Sequence, residues 1–171
     1  MTATSCRILV MGVSGCGKSL VGQRLAAELG AEFIDGDDYH PPANVAKMAS
    51  GTPLDDGDRQ GWLETLAGLF ATYRREEKTV VIACSGLKKR YRDCLRTGDP
   101  ALEILYLEGE PALLKKRLTT REDHFFKGEA MLASQLEALE APDEQEAIAL
   151  SIALTPELIA ERFITRLAGK R

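Results

Sequence analysis

The stretch Gly12-Val13-Ser14-Gly15-Cys16-Gly17-Lys18-Ser19 follows the pattern G-x-x-x-x-G-K-[ST] without a mismatch. Nothing else in the chain narrows the possible folds as much, because such a loop works only between the end of a buried strand and the start of a helix. Both flanks are present. Arg7-Ile8-Leu9-Val10-Met11 is a short apolar run suited to an interior strand, and Ser19 to Leu29 has the spacing of an amphipathic helix. Glycines let the loop backbone take positive φ, so that successive N–H groups converge on anionic oxygens. Lys18 is expected to place its ammonium between the β- and γ-phosphates of a nucleoside triphosphate, and the Ser19 hydroxyl to serve as a ligand of Mg²⁺. The loop by itself leaves kinase, GTPase and motor open.

At 171 residues, with 44% hydrophobic and 28% charged residues, the chain suits a single folded domain, residues 1–171. No stretch approaches the length of a membrane span, and the first residues carry no signal-like pattern, so a cytoplasmic protein is expected. A net charge of −4 argues against a nucleic-acid surface, which needs a basic stripe. Small-molecule partners are expected instead. The four cysteines, Cys6, Cys16, Cys84 and Cys94, form no C-x-x-C pair and read as free thiols. Cys16 lies inside the anion-binding loop, either as a small filler or as a thiol made acidic there.

Beyond the first helix, short apolar runs near 31–35, 79–83, 103–107 and 147–152 alternate with helical segments, which predicts a parallel five-stranded sheet with helices on both faces. The second run ends in Asp35-Gly36-Asp37-Asp38, delivered to the same sheet edge as the phosphate loop. If extended geometry persists, Asp35 and Asp37 point to one side; alternatively one carboxylate caps the following turn. Arg117 and Arg121 are four apart, suited either to two guanidinium forks on one polyphosphate or to a solvated basic face. Residues from about 122 to 138 read as a compact insertion, a small lid.

Several separate stretches closely resemble the gluconate kinase (gluconokinase) family of small P-loop kinases. They are the loop itself, Asp35-Gly-Asp37-x-x-His40-Pro, Asn44-x-x-Lys47-Met48-x-x-Gly51-x-Pro53-Leu54 and Asp58-Arg59-x-x-Trp62-Leu63. Cys84-Ser85-x-Leu87-Lys88-x-x-Tyr91-Arg92-Asp93, Arg117-x-x-x-Arg121-x-x-His124-Phe125 and Gln135 complete the likeness. Gly86 and Cys16 depart from it, standing where the family usually has alanine and serine.

The resemblance implies an α/β three-layer P-loop kinase fold with a small helical lid, ATP-dependent phosphorylation of D-gluconate to 6-phosphogluconate, Mg²⁺ as cofactor and a homodimer. On that footing the loop holds ATP through Gly12, Val13, Ser14, Gly15, Cys16, Gly17, Lys18 and Ser19. Lys18, Asp37, Arg117 and Arg121 are the expected catalytic residues, with Asp37 as the base for the sugar acid's primary hydroxyl. Asp35 is the expected indirect partner of the metal beside Ser19. Asp37, His40, Lys47, Arg59, Arg92 and His124 are the expected substrate contacts, supplying the cations a polyhydroxy carboxylate requires. Another small-molecule kinase of this fold, such as a shikimate or nucleoside monophosphate kinase, is the alternative activity. A nucleotide-binding module without catalysis is the alternative of a different kind.

Overall fold

The computed structural model describes residues 4–119 and 125–170. Five strands, β1 (Arg7–Met11), β2 (Glu32–Asp35), β3 (Val80–Ala83), β4 (Glu103–Glu108) and β5 (Ile148–Ser151), form a sheet in the order β2-β3-β1-β4-β5. Every pairing is parallel. The connecting helices are α1 (Lys18–Leu29), α2 (Pro42–Ala49), α3 (Asp56–Arg75), α4 (Lys89–Arg96), α5 (Pro111–Thr119), α6 (Phe125–Ala138) and α7 (Pro156–Gly169).

Ile8, Leu9, Val10 and Met11 are all fully buried although successive strand residues face opposite sides, so both faces of β1 are covered. This explains why the first strand is a continuous apolar run, each side chain contributing about 1.5–3 kcal/mol by burial. The chain leaves β1 toward β2 and β3 on one flank, and β4 and β5 extend the other. The loop after β1 therefore sits where the strand order reverses, the place at which open α/β sheets bind ligands.

Helix boundaries follow local chemistry. A capping box between Asp55 and Asp58 starts α3, and Thr155 caps α7 ahead of Pro156. Gly30, in the left-handed region, closes α1.

One expectation fails. Strand geometry stops at Asp35, and Gly36–Tyr39 is a 3₁₀ turn, so the extended spacing expected to align Asp35 with Asp37 does not exist. Asp35 itself caps that turn, its Oδ1 accepting from the Asp37 N–H at 3.0 Å. The Trp62 indole N–H holds the turn from α3 by donating to the Gly36 carbonyl at 2.7 Å. Gly36 passes so close to β3 that a Cβ there would lie 2.6 Å from the Ala83 carbonyl oxygen.

Of the expected lid, 122–138, the described part is α6, which packs against α5. Arg121 and His124 lie outside the described residues. Among the described residues, no helix is long and apolar enough to cross a membrane.

Candidate active site

The phosphate loop is shaped by its glycines and by its own packing. Gly12 adopts φ 153°, and a Cβ there would fall 2.6 Å from Cys16 Sγ and 3.1 Å from the Leu107 carbonyl oxygen. A side chain is thus excluded by conformation and by space. Gly17 is the N-cap of α1 and offers no side-chain cap, which leaves the first-turn N–H groups open to an anion. Lys18 folds back over the loop, its Nζ donating to the carbonyls of Gly12 at 3.0 Å and Val13 at 3.3 Å. Cys16 is buried beneath it as a filler, and all four cysteines are free. The fully buried Cys84 thiol at the end of β3 is pushed up to about 12 by burial, which makes it inert.

Beside the loop, Ser19 Oγ donates to Asp35 Oδ2 at 3.3 Å while Oδ1 caps the 3₁₀ turn. Of the two readings its sequence left open, Asp35 takes the cap, and its other oxygen meets Ser19. The Ser19 and Asp35 oxygens suit a hard, oxygen-seeking cation such as Mg²⁺. Among the described residues, no cluster of three or more His, Cys, Asp or Glu side chains could cage a metal.

Asp37 lies in the 3₁₀ turn with its side chain largely exposed. Desolvation by the surrounding wall raises its carboxyl above the ordinary aspartate value although solvent still reaches the group; Lys18 pulls it down, Asp35 pushes it up and His40 pulls it down. His40 was expected to touch substrate, but its ring is almost wholly buried, stacked on Trp62 with centroids 3.9 Å apart and planes 19° from parallel. The Asn44 amide donates to the Asp58 carbonyl at 2.7 Å, so its nitrogen faces His40 Nδ1 at 3.2 Å. Nδ1 must then accept, and the proton of the neutral ring sits on Nε2, 3.7 Å from Asp37 Oδ1. His40 thus lies against Trp62 with its Nε2 turned toward Asp37.

A cavity of about 190 Å³ opens between α3, α4 and α6, with Arg59, Lys88, Tyr91 and Gln135 in its wall beside the apolar Leu54 and Leu87. The Tyr91 ring lies between two cations, with the Arg59 guanidinium 5.2 Å and the Lys88 ammonium 5.7 Å from its centroid. Arg59 donates to the Tyr91 hydroxyl at 3.0 Å, and that hydroxyl donates in turn to Asp56. Asp56 also accepts from Lys88 at 3.1 Å and from Arg90 at 2.6 Å, and these bonds, Tyr91's foremost, hold its carboxyl below the ordinary value.

Arg59 is the expected substrate cation that the fold brings to this cavity. Lys47 is drawn instead to the capping box of α3, 2.6 Å from Asp58. Arg92 requires a correction. Its guanidinium is buried and donates to the carbonyls of Gly86, Leu87 and Glu140 and to both oxygens of Glu146, which leaves no donor for a ligand. Arg117 donates to the Ile152 carbonyl at 2.6 Å, at the turn leading into α7.

Lys88, Tyr91 and Gln135 stand in stretches that carried the family likeness but were given no role. Lys88 is the extended residue that caps the start of α4 and Tyr91 lies in its first turn, so both reach the cavity, whereas Arg92 is buried away from it. Gln135 reaches the phosphate loop itself, its Oε1 accepting from the Ser14 N–H at 2.6 Å.

Comparison with known proteins gives a consistent picture. The AAA domain family model matches residues 8–142. The thermoresistant gluconokinase of Escherichia coli (strain K12) is 46% identical over 146 residues, 84% of this chain and 83% of that protein. A crystal structure of a sugar kinase from Janibacter sp. HTCC2649 superposes with a TM-score of 0.89 at 40% identity, covering 96% of this chain and 95% of that one. A gluconokinase from Sinorhizobium meliloti 1021 superposes with a TM-score of 0.87 at 38% identity, covering 99% and 97%.

Proposed function

This chain belongs to the gluconokinase family, within the AAA domain group, and from that premise we propose that it transfers the γ-phosphoryl group of ATP to D-gluconate, giving ADP and 6-phospho-D-gluconate. The observation that carries the reading is the meeting of a phosphate loop with a cation-lined cavity through one shared side chain, Gln135.

Phosphoryl transfer asks the protein to position the reactants and to stabilise charge as it moves. Asp37 takes the proton of the acceptor's primary hydroxyl as that oxygen bonds to the γ-phosphorus and the bond to the β-phosphate oxygen breaks. The proton on His40 Nε2 steadies the Asp37 carboxylate. Lys18 exchanges its loop carbonyls for phosphate oxygens, and the open N–H groups at the start of α1 bind the same oxygens. Arg117, with Arg121, shields the charge of the transferring group and of ADP. Mg²⁺, when bound through Ser19 and indirectly through Asp35, neutralises phosphate charge. Arg59 and Lys88 receive the carboxylate of the sugar acid, whose hydroxyls meet Tyr91 and Gln135. The cavity is smaller than the roughly 300–1,000 Å³ of drug-sized sites, as suits one small polar metabolite.

The expected homodimer enters this reading on the family resemblance alone. The test is ADP release with Mg·ATP against D-gluconate, shikimate, glucose and nucleoside monophosphates at matched concentrations. Turnover with gluconate alone is expected. Turnover with another acceptor would move the acceptor assignment, and none with any would leave a nucleotide-binding module.

A further inference from the structure

Gln135 lies 121 residues from its partner Ser14, yet its carboxamide oxygen takes one of the loop's own N–H groups at 2.6 Å. A loop built to bind anions thus has one donor claimed in advance by a neutral acceptor, which fixes the loop without adding negative charge beside the phosphates. The same side chain lines the cavity that holds Arg59, Lys88 and Tyr91. Its oxygen is spent on Ser14, and its NH₂, which donates only, has no protein partner among the described residues.

The far end of the same segment is fastened to the opposite wall. The Glu140 N–H donates to the Leu87 carbonyl at 2.7 Å, Glu140 Oε1 accepts from the Lys89 N–H at 2.9 Å, and its carbonyl accepts from Arg92 at 2.8 Å. The stretch from Gln135 to Glu140 therefore spans from the phosphate loop to the segment that carries Lys88 and Tyr91.

We propose that Gln135 is a positioning and specificity residue: its NH₂ donates to a hydroxyl or carboxylate oxygen of the acceptor while its oxygen holds Ser14, so that acceptor binding and the nucleotide loop are coupled through one carboxamide. The inference rests on reading the cavity as the acceptor site. It selects an oxygen-rich acceptor over one presenting an apolar face there, because an unmatched NH₂ would be left buried.

The experiment measures Mg·ADP affinity calorimetrically with and without saturating D-gluconate, together with steady-state kinetics, in the wild type, Gln135→Met and Gln135→Glu. In the wild type, gluconate is expected to tighten Mg·ADP by about fivefold or more. In Gln135→Met that factor falls to about one and the gluconate KM rises about tenfold. Gln135→Glu keeps an oxygen for Ser14 but loses the donor and adds charge, so it raises the gluconate KM and also weakens Mg·ADP. A wild-type factor of one, a coupling unchanged in Gln135→Met, or equal losses of nucleotide and gluconate affinity in that variant would each overturn the inference. Those results are distinguishable from failure of the acceptor reading, in which the wild type does not turn gluconate over at all.

Discussion

In the reaction proposed above Asp37 is the base, and its setting shows how a single carboxylate would be prepared for that role. Desolvation and the neighbouring Asp35 raise its pKa, while Lys18 and His40 hold it down, leaving it above the ordinary value. A base works only when ionised, so the acid limb of kcat/KM is expected to lie above pH 3.8, the ordinary aspartate value. Asp37→Asn is expected to lower kcat by about 10²–10⁴-fold while Mg·ATP binding survives. Near-normal turnover, or an acid limb at or below that pH, would contradict the assignment. Asp37 could be singled out as a candidate from its place after an acidic strand end. His40 was legible as important but not in its role, because Trp62 and Asn44, which claim its ring and its Nδ1, lie on helices with no local pattern pointing back to it.

At the scale of elements, the working unit is the 3₁₀ turn held by α3. Trp62 meets the turn twice, through the Gly36 carbonyl and through the His40 ring. It is also the chain's single tryptophan, so its emission reports on this contact. Burial, followed by the Asp37 charge, which opposes it, and Arg59, sets His40 below its ordinary value of 6.5. The folded state therefore holds this proton less well than the unfolded state, and folding loses stability as pH falls through about 6.5. Titration of Trp62 emission is expected to show quenching by the imidazolium with a midpoint below pH 6.5, absent in His40→Gln. A midpoint at or above that value, or persistence in the variant, would break the link between the ring and the turn. The strand-loop-helix unit around Gly12 was readable because period and glycine spacing are local. The turn after β2 was not, since a cap from Asp35 and a tether from a residue 26 positions away decide it.

Across the whole molecule, distant segments are joined by buried charge. Burial alone would raise the Glu146 carboxyl, but bonds from Arg92 and Arg96 outweigh it and hold the group below its ordinary value. Such a group adds stability above its unfolded pKa, near 4.5, and loses it as pH falls through the lower folded value. Glu146→Gln is expected to cost about 3 kcal/mol at pH 7 by leaving Arg92 buried beside a neutral amide, lowering Tm by roughly 6–12 °C. The deficit should shrink toward acid pH in thermal melts; a constant deficit would mean that packing rather than charge is lost. The strand order was legible only as alternation, and the role of Arg92 not at all, because its partner lies 54 residues on. That order has a consequence for how such chains diversify. On the reading proposed above, donor recognition lies on the loop after the central strand and the acceptor in the cavity walled by α3, α4 and α6, whose side chains can change with the phosphate loop's own backbone left intact. On that reading a lineage can exchange the compound it phosphorylates by drift on those helices while inheriting its energy currency unchanged, with Gln135 a position where the two histories must agree.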